Sequence, residues 1–267
     1  MSSSSSGGGR SKVAVGPSGW RVVRLVDTAS TNLEALDRAR AGDPGRVWVV
    51  AERQSGGRAR RGRVWTSEPG NLYATALLID PCAPRNLPEL PFVAATAAAR
   101  AVARHAAVSG RRVDVKWPND LLIGGAKISG ILLETTRTPS GATAVAIGIG
   151  INCVHHPRDT ETPATDLLAE GIDASPARLF PDLEYELAAG LALWNRGEGF
   201  AGVRAQWLAH AVGLGGRIRV RLVEGEDEGL FEAIDDTGRL ILRRDDGTMR
   251  LISAGDVFFP GRPSEEK

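Results

Sequence analysis

From Trp20 onward the chain alternates between short, continuous apolar runs and segments whose apolar residues return every three or four positions. That mixture predicts strands interleaved with helices. Residues 47–51, 72–79, 113–117, 131–135 and 143–151 read as strands, and residues 20–26 open the ordered chain. Ser30-Thr31-Asn32-Leu33-Glu34 predicts a helix start in which Thr31 caps and Glu34 reaches back, ending at Gly42-Asp43-Pro44-Gly45. Residues 91–108 are alanine-rich and helical by propensity. Residues 176–194 carry Leu179, Leu183, Leu187 and Leu191 on one helical face.

The rhythm changes at Gly215. Residues 217–222 alternate polar and apolar, and turn signals follow at 235–238 and 245–247, which predicts a small antiparallel barrel of about four strands. Residues 1–19 are rich in Ser and Gly with little to bury, and are expected to be disordered. The expected organisation is therefore a tail (1–19), an α+β domain (20–213) and a compact all-β domain (214–267).

Composition narrows the function classes. Of 267 residues 42% are hydrophobic, enough for a substantial core, and the net charge of +1 gives no global reason to expect a nucleic-acid partner. No apolar run reaches the roughly 18 residues a membrane span needs, and the N-terminus has no apolar signal-peptide region. Cys82 and Cys153 are too few for a disulfide framework or a zinc site. They read as small core residues in a reducing compartment, so a soluble cytoplasmic protein is expected. His105, His155, His156 and His210 lack metal-ligand spacing and read as surface or loop residues, and there is no G-x-S-x-G elbow.

Three segments carry candidate chemistry. Residues 52–65 hold five arginines within eleven positions, interleaved with glycines. Guanidinium groups bind phosphate and carboxylate bidentately, so this is either an anion-binding loop or a solvated basic one. Lys116-Trp117-Pro118-Asn119-Asp120 is followed by Leu121-Leu122-Ile123, two glycines and then Lys127, eleven residues after Lys116. A hairpin there folds Lys127 back beside Asp120, giving either a phosphate site with a metal on Asp120 or a surface ion pair around a packed tryptophan. Ala126 and Ile128 flank Lys127, so the segment is no P-loop. In Gly148-Ile149-Gly150-Ile151-Asn152, glycines inside a strand imply close approach of a ligand or another chain segment, with Asn152 as a possible ligand amide or a strand-end turn residue.

Taken together these segments resemble the biotin protein ligase (biotin–[acetyl-CoA-carboxylase] ligase) family. The resemblance rests on Ser30-Thr31-Asn32, the 54–65 loop, the Lys-Trp-Pro-Asn-Asp pentapeptide, Lys127-x-x-Gly130-Ile131-Leu132-x-Glu134, Gly150-Ile151-Asn152 and Ala254-Gly255-Asp256-Val257, in the family's order. It implies a mixed-sheet α+β catalytic domain related to class II synthetases, followed by an SH3-like C-terminal barrel. It further implies an ATP-dependent, AMP-forming enzyme that makes biotinyl-5′-AMP with Mg²⁺ and passes biotin to a lysine of the biotin carboxyl carrier domain of an acyl-CoA carboxylase. By resemblance, Ser30, Thr31, Asn32, Gln54, Gly57, Arg58, Ala59, Arg60, Lys127 and Gly130 form the biotin site. Arg60, Arg61, Arg63, Trp65, Lys116, Asn119 and Asn152 contact ATP. Lys127, Arg58, Arg60 and Asp120 are the catalytic set, with Asp120 as magnesium ligand or proton acceptor.

The family loop usually reads G-R-G-R-x-G-R, and this chain has alanine at position 59. Either the backbone there is ordinary, or the loop closes differently. Two neighbouring readings are weaker. Lipoate ligases share the adenylation chemistry but would not need this arginine pattern. Repressor members carry an N-terminal helix-turn-helix, for which the residues ahead of position 20 supply no amphipathic helices, so no DNA binding is expected. Some members form homodimers through exposed strand edges, which sequence alone does not locate.

Overall fold

The computed structural model describes residues 12–259. Eight strands form a mixed sheet: β1 (Lys12–Val15), β2 (Arg21–Thr28), β3 (Val47–Gln54), β4 (Leu72–Ile79), β5 (Val113–Lys116), β6 (Asp120–Ile123), β7 (Ala126–Arg137) and β8 (Thr143–Ile151). Their spatial order is β1-β2-β3-β4-β8-β7-β6-β5, with β2 and β3 the parallel pair. Alternation along the strands sends side chains to two faces. On one face Val23, Val47, Val49 and Leu77 pack against Ala35, Leu36 and Ala39 of α1 (Thr31–Arg40). On the other, Val22, Trp48, Val50 and Ala76 join α2 (Leu90–Ala106) and α3 (Pro176–Trp194) in the larger core.

The bounds of β4, β8 and α3 coincide with those the sequence predicts. Leu179, Leu183 and Leu187 of α3 are fully buried, as their spacing requires. Among its described residues the C-terminal unit contains five strands rather than about four: β9 (Arg217–Arg221), β10 (Glu226–Ile234), β11 (Leu240–Arg243), β12 (Met249–Ile252) and β13 (Asp256–Phe258). The strand order β12-β11-β10-β9-β13 brings the last strand back to β9. This sheet contacts the eight-stranded unit, with Trp117 Nε1 donating to Gly238 O at 3.2 Å.

Several expectations need correction. Residues 12–19 are ordered: β1 pairs antiparallel with β2, and Ser18 N donates to Glu184 Oε1 at 3.2 Å. The strand is an edge held by backbone pairing, with Val13 and Val15 exposed, so a core-based reading of its composition underestimates it. Residues 1–11 lie outside the described residues. The capping box does not form. Ser30 is the N-cap, Thr31 is already helical with its hydroxyl directed to Gln54, and Glu34 pairs with Arg38 at 3.0 Å one turn on. A helix the pattern does not announce, α4 (Phe200–Ala209), buries Phe200, Val203 and Trp207. His105 lies in α2 and hydrogen-bonds Asp182 at 2.9 Å, so it is not a loop residue.

Candidate active site

A cavity of about 460 Å³ opens over β3, β4, β7 and β8, between the start of α1, the arginine loop and β13. Its lining brings together nearly every residue singled out above, from Ser30, Thr31, Asn32 and Gln54 at one end to Lys116, Asn119, Asp120, Lys127 and Asn152 at the other.

The first end is neutral and tightly hydrogen-bonded. Ser30, Thr31 and Asn32 are all at most 4% exposed. Thr31 N and Oγ1 donate to Gln54 Oε1 at 2.8 and 3.1 Å, and Gln54 Nε2 donates to Ser67 Oγ at 2.9 Å. The Thr75 hydroxyl, fully buried in β4, donates to Asn32 Oδ1 at 2.7 Å and lies 2.8 Å from Thr31 Oγ1. Asn32 Nδ2 donates to Glu134 Oε2 at 2.9 Å. Such a floor fixes which way each amide points, so it presents a defined pattern of donors and acceptors to a polar ring.

Gly148 and Gly150 have the close neighbours the sequence demands. A Cβ on Gly148 would run into the Asn32 amide, and one on Gly150 would stand 2.7 Å from Trp65 Nε1. Trp65 thus lies across the strand glycines as a partition within the cavity. Lys127 Nζ sits 5.4 Å from the centre of its ring, a cation–π distance.

The other end is cationic. The β6–β7 hairpin folds Lys127 back onto Asp120, Nζ to Oδ1 2.6 Å, as its local spacing predicts. Lys116 is buried beside them, and burial lowers its pKa below the usual lysine value, opposed by Asp120. A desolvated ammonium near two further charges is suited to an anion that brings its own negative charge. Asn119 Nδ2 donates to Ile131 O at 2.5 Å and its Oδ1 accepts from Arg60 Nη1 at 2.9 Å. Asn152 is buried, and its amide nitrogen donates to Thr165 O at 3.1 Å, so one of its two N–H groups is engaged by the chain itself.

The arginine loop is closed at its base by Trp65 N donating to Gly57 O at 2.9 Å and Ala59 N to Arg63 O at 2.8 Å. Ala59 is extended (φ −125°), which decides between the two sequence alternatives: the backbone there is ordinary. The left-handed positions are Arg61 (φ 56°) and Gly62 (φ 71°). Arg58 pairs with Glu134 at 2.8 Å. Arg61 and Arg63 reach Asp256 of β13 at 3.1 and 3.2 Å, and Arg60 Nη2 donates to Gly255 O at 3.1 Å. Burial lowers the Arg60 pKa, with Asp256 and Asp120 opposing the shift.

Residues 22–152 match the Biotin/lipoate A/B protein ligase family, and residues 213–259 match the Biotin protein ligase C terminal domain. The chain is 40% identical over 245 residues to a biotin–[acetyl-CoA-carboxylase] ligase of Paracoccus denitrificans, covering 89% of this chain and 100% of that one. This chain belongs to the biotin protein ligase family. The Mycobacterium tuberculosis biotin–[acetyl-CoA-carboxylase] ligase is 34% identical, with 90% of each chain covered. Among solved structures, the Leishmania major biotin protein ligase in complex with biotinyl-5-AMP has a TM-score of 0.60 at 28% identity, covering 87% of this chain and 98% of that one. The Aquifex aeolicus biotin protein ligase shares the fold, with a TM-score of 0.74 at 24% identity, covering 89% and 97%.

For this biotin protein ligase, sequence reasoning passed over one part of the cavity wall. Pro157, Thr160, Glu161, Thr162 and Ala164 line it, in a segment anchored by Lys127 N donating to Pro163 O at 2.8 Å and Thr165 N to Lys127 O at 3.0 Å. Pro157 and Pro163 bracketing a polar run were the available signal. Thr75 was the other omission, legible as a hydroxyl set between Ala74 and Ala76 in a buried strand.

Proposed function

We propose that this biotin protein ligase joins biotin to ATP as biotinyl-5′-AMP and then transfers the biotinyl group to a lysine of the biotin carboxyl carrier domain of an acyl-CoA carboxylase. The observation that carries this reading is the two-ended cavity: a neutral, orientation-fixed pocket at Asn32 and a cationic end at Lys116 and Lys127, with Trp65 standing between them. A ureido ring suits the first end, and a triphosphate suits the second.

In the first step a biotin carboxylate oxygen attacks the ATP α-phosphorus and the bond to pyrophosphate breaks. Two anions must meet, and fixed positive charge lowers that barrier. Lys127 and Arg58 supply it at the junction of the two ends, with Arg60 and Lys116 on the nucleotide side. Magnesium is commonly held by one or two carboxylates with phosphates and water completing its shell. Among the described residues no three His, Cys, Asp or Glu side chains converge; Asp120 would be the carboxylate offered to the metal, with nucleotide phosphates and water supplying the rest of its shell. When bound, it supplies charge neutralisation for the departing pyrophosphate.

In the second step the acceptor amine attacks the acyl carbon and AMP leaves. That amine must lose a proton from an ordinary pKa near ~10.4, and Asp120 is the proposed acceptor, as the alternative to its role as metal ligand. The mixed anhydride must be kept from water meanwhile, which is the task assigned to the arginine loop under Trp65. Free Cys82 and Cys153 fit a cytoplasmic location, where ATP and the carrier are found. The test is ATP–pyrophosphate exchange with biotin or lipoate, then a streptavidin blot after adding carrier domain and Mg²⁺. Exchange that depends on lipoate and not biotin would refute the reading.

A further inference from the structure

Glu134 stands on β7 between two groups to which the proposed reaction gives different tasks. Its Oε2 accepts from Asn32 Nδ2 at 2.9 Å, and its Oε1 faces Arg58 Nη2 at 2.8 Å. Asn32 belongs to the pocket floor, and Arg58 to the arginine loop. The floor also meets the loop at its other end, where Gln54 Nε2 donates to Ser67 Oγ and the Ser67 hydroxyl donates to Trp65 O, each at 2.9 Å. A connected set of hydrogen bonds therefore runs from the loop's C-terminal end, under the pocket, to Glu134, and an ion pair carries it on to Arg58.

The two partners of Glu134 differ in freedom. The side chain of Arg58 is 45% exposed, and an exposed pair of this kind adds little stability on its own. Asn32 is 3% exposed, its Oδ1 is taken by Thr75, and its amide fills the space above Gly148. Asn32 cannot invert without losing a buried bond, whereas Arg58 can swing into solvent. Arg58 meets Glu134 through Nη2 from a half-exposed position, and a guanidinium with five N–H donors keeps others for an anion in the cavity.

We propose that Glu134 is a positioning residue: it uses the immobile Asn32 as an anchor to hold Arg58 over the acid-binding junction, so that head-group binding and loop closure are coupled. This rests on the proposed reaction. It goes beyond it in making the loop's hold on the adenylate depend on a carboxylate that need not touch any substrate.

Glu134→Gln separates the two contacts. Glutamine keeps one acceptor and places an NH₂ at the other position; because Asn32 must keep its acceptor, the NH₂ faces Arg58 and releases it. Calorimetric biotin titration and kinetics on the full chain should show biotin affinity lowered and adenylate escape raised, each about tenfold, the scale of losing a hydrogen bond to a charged group. The KM for ATP should stay within about twofold, and Glu134→Gln added to Arg58→Ala should cause no further loss, because both act through one group. Glu134→Asp, which keeps the charge but shortens the reach, should give the same selective defect in smaller measure. Wild-type protein that binds biotin, combined with Glu134 variants that are unaltered, that raise the ATP KM instead, or that multiply the Arg58→Ala defect, overturns this inference alone. Wild-type protein that fails to bind biotin overturns the reaction and this inference together.

Discussion

Replacing Gly148 by alanine tests whether the head-group pocket is as rigid as its hydrogen bonds imply. The backbone at this position is ordinary for a strand, so alanine meets no conformational barrier, and loss of a strand glycine should gain roughly 0.5–1 kcal/mol. The new methyl, however, falls on the Asn32 side chain, with Nδ2 at 3.0 Å and Oδ1 nearer still. Asn32 is held by Thr75 at 2.7 Å and Glu134 at 2.9 Å. If it stays, overpacking costs about 1–3 kcal/mol. If it yields, a buried polar group loses its partner at about 1–3 kcal/mol. Set against that gain the net loss is about 0–2.5 kcal/mol, centred a little above 1 kcal/mol, and biotin affinity should fall roughly five- to tenfold, since the same order of energy is withdrawn from the pocket. Urea denaturation and calorimetric biotin titration measure the two effects. Gly150→Ala is the matched control: its methyl meets Trp65 at 2.7 Å, a half-buried loop side chain free to move, so stability should hold while the adenylation rate drops. A Gly148→Ala protein with wild-type stability and biotin affinity would refute the claim that Asn32 is fixed.

Other outcomes follow from the same geometry. Lys127→Ala should cut biotin-dependent ATP–pyrophosphate exchange by about a hundredfold or more, the scale of losing a transition-state charge donor. Its thermal midpoint should barely move, because the Lys127–Asp120 pair is partly solvated; a near-normal exchange rate removes Lys127 from the mechanism. Arg60→Gly abolishes the contacts to Asn119 Oδ1 and Gly255 O, so the loop should release adenylate and label bystander lysines, detectable on a streptavidin blot. Wild-type release would count against the loop as a lid. Asp227 is held below the usual carboxylate value by hydrogen bonds from Arg244, against burial, and by Arg250. Its stabilisation is fully present above the unfolded value of 3.8 and lost as pH falls through the lowered folded value. Asp227→Asn should therefore unfold earlier at neutral pH, and the gap to wild type should close in acid; a gap independent of pH would contradict this.

What could be read in the sequence depended on how far apart the interacting residues lie. The Lys127–Asp120 pair was legible because a two-glycine turn fixes it within a hairpin, and β4 and β8 were legible because turn residues bound each apolar run. The edge strand at 12–15 was not, since its valines point to solvent, and α4 was not, because it is only ten residues long, starts from Gly199 and carries a helix-weakening Gly202 inside it. Strand glycines signalled that something must approach closely, but Asn32 and Trp65 come from 116 and 85 positions away, a distance only topology can bridge. The partner of Arg61, Asp256, lies 195 positions off in a different sheet. Register then finishes the site. β7 and β8 pair with Gly130 opposite Gly150 and Leu132 opposite Gly148, which clears one continuous floor for Trp65 and Asn32. A slip of one residue turns every side chain to the other face, setting Ile149 or Ile151 where the indole now lies. The cavity is thus specified twice, once by the glycines that leave it empty and once by the apolar residues between them, whose burial on the helical face prevents the slip.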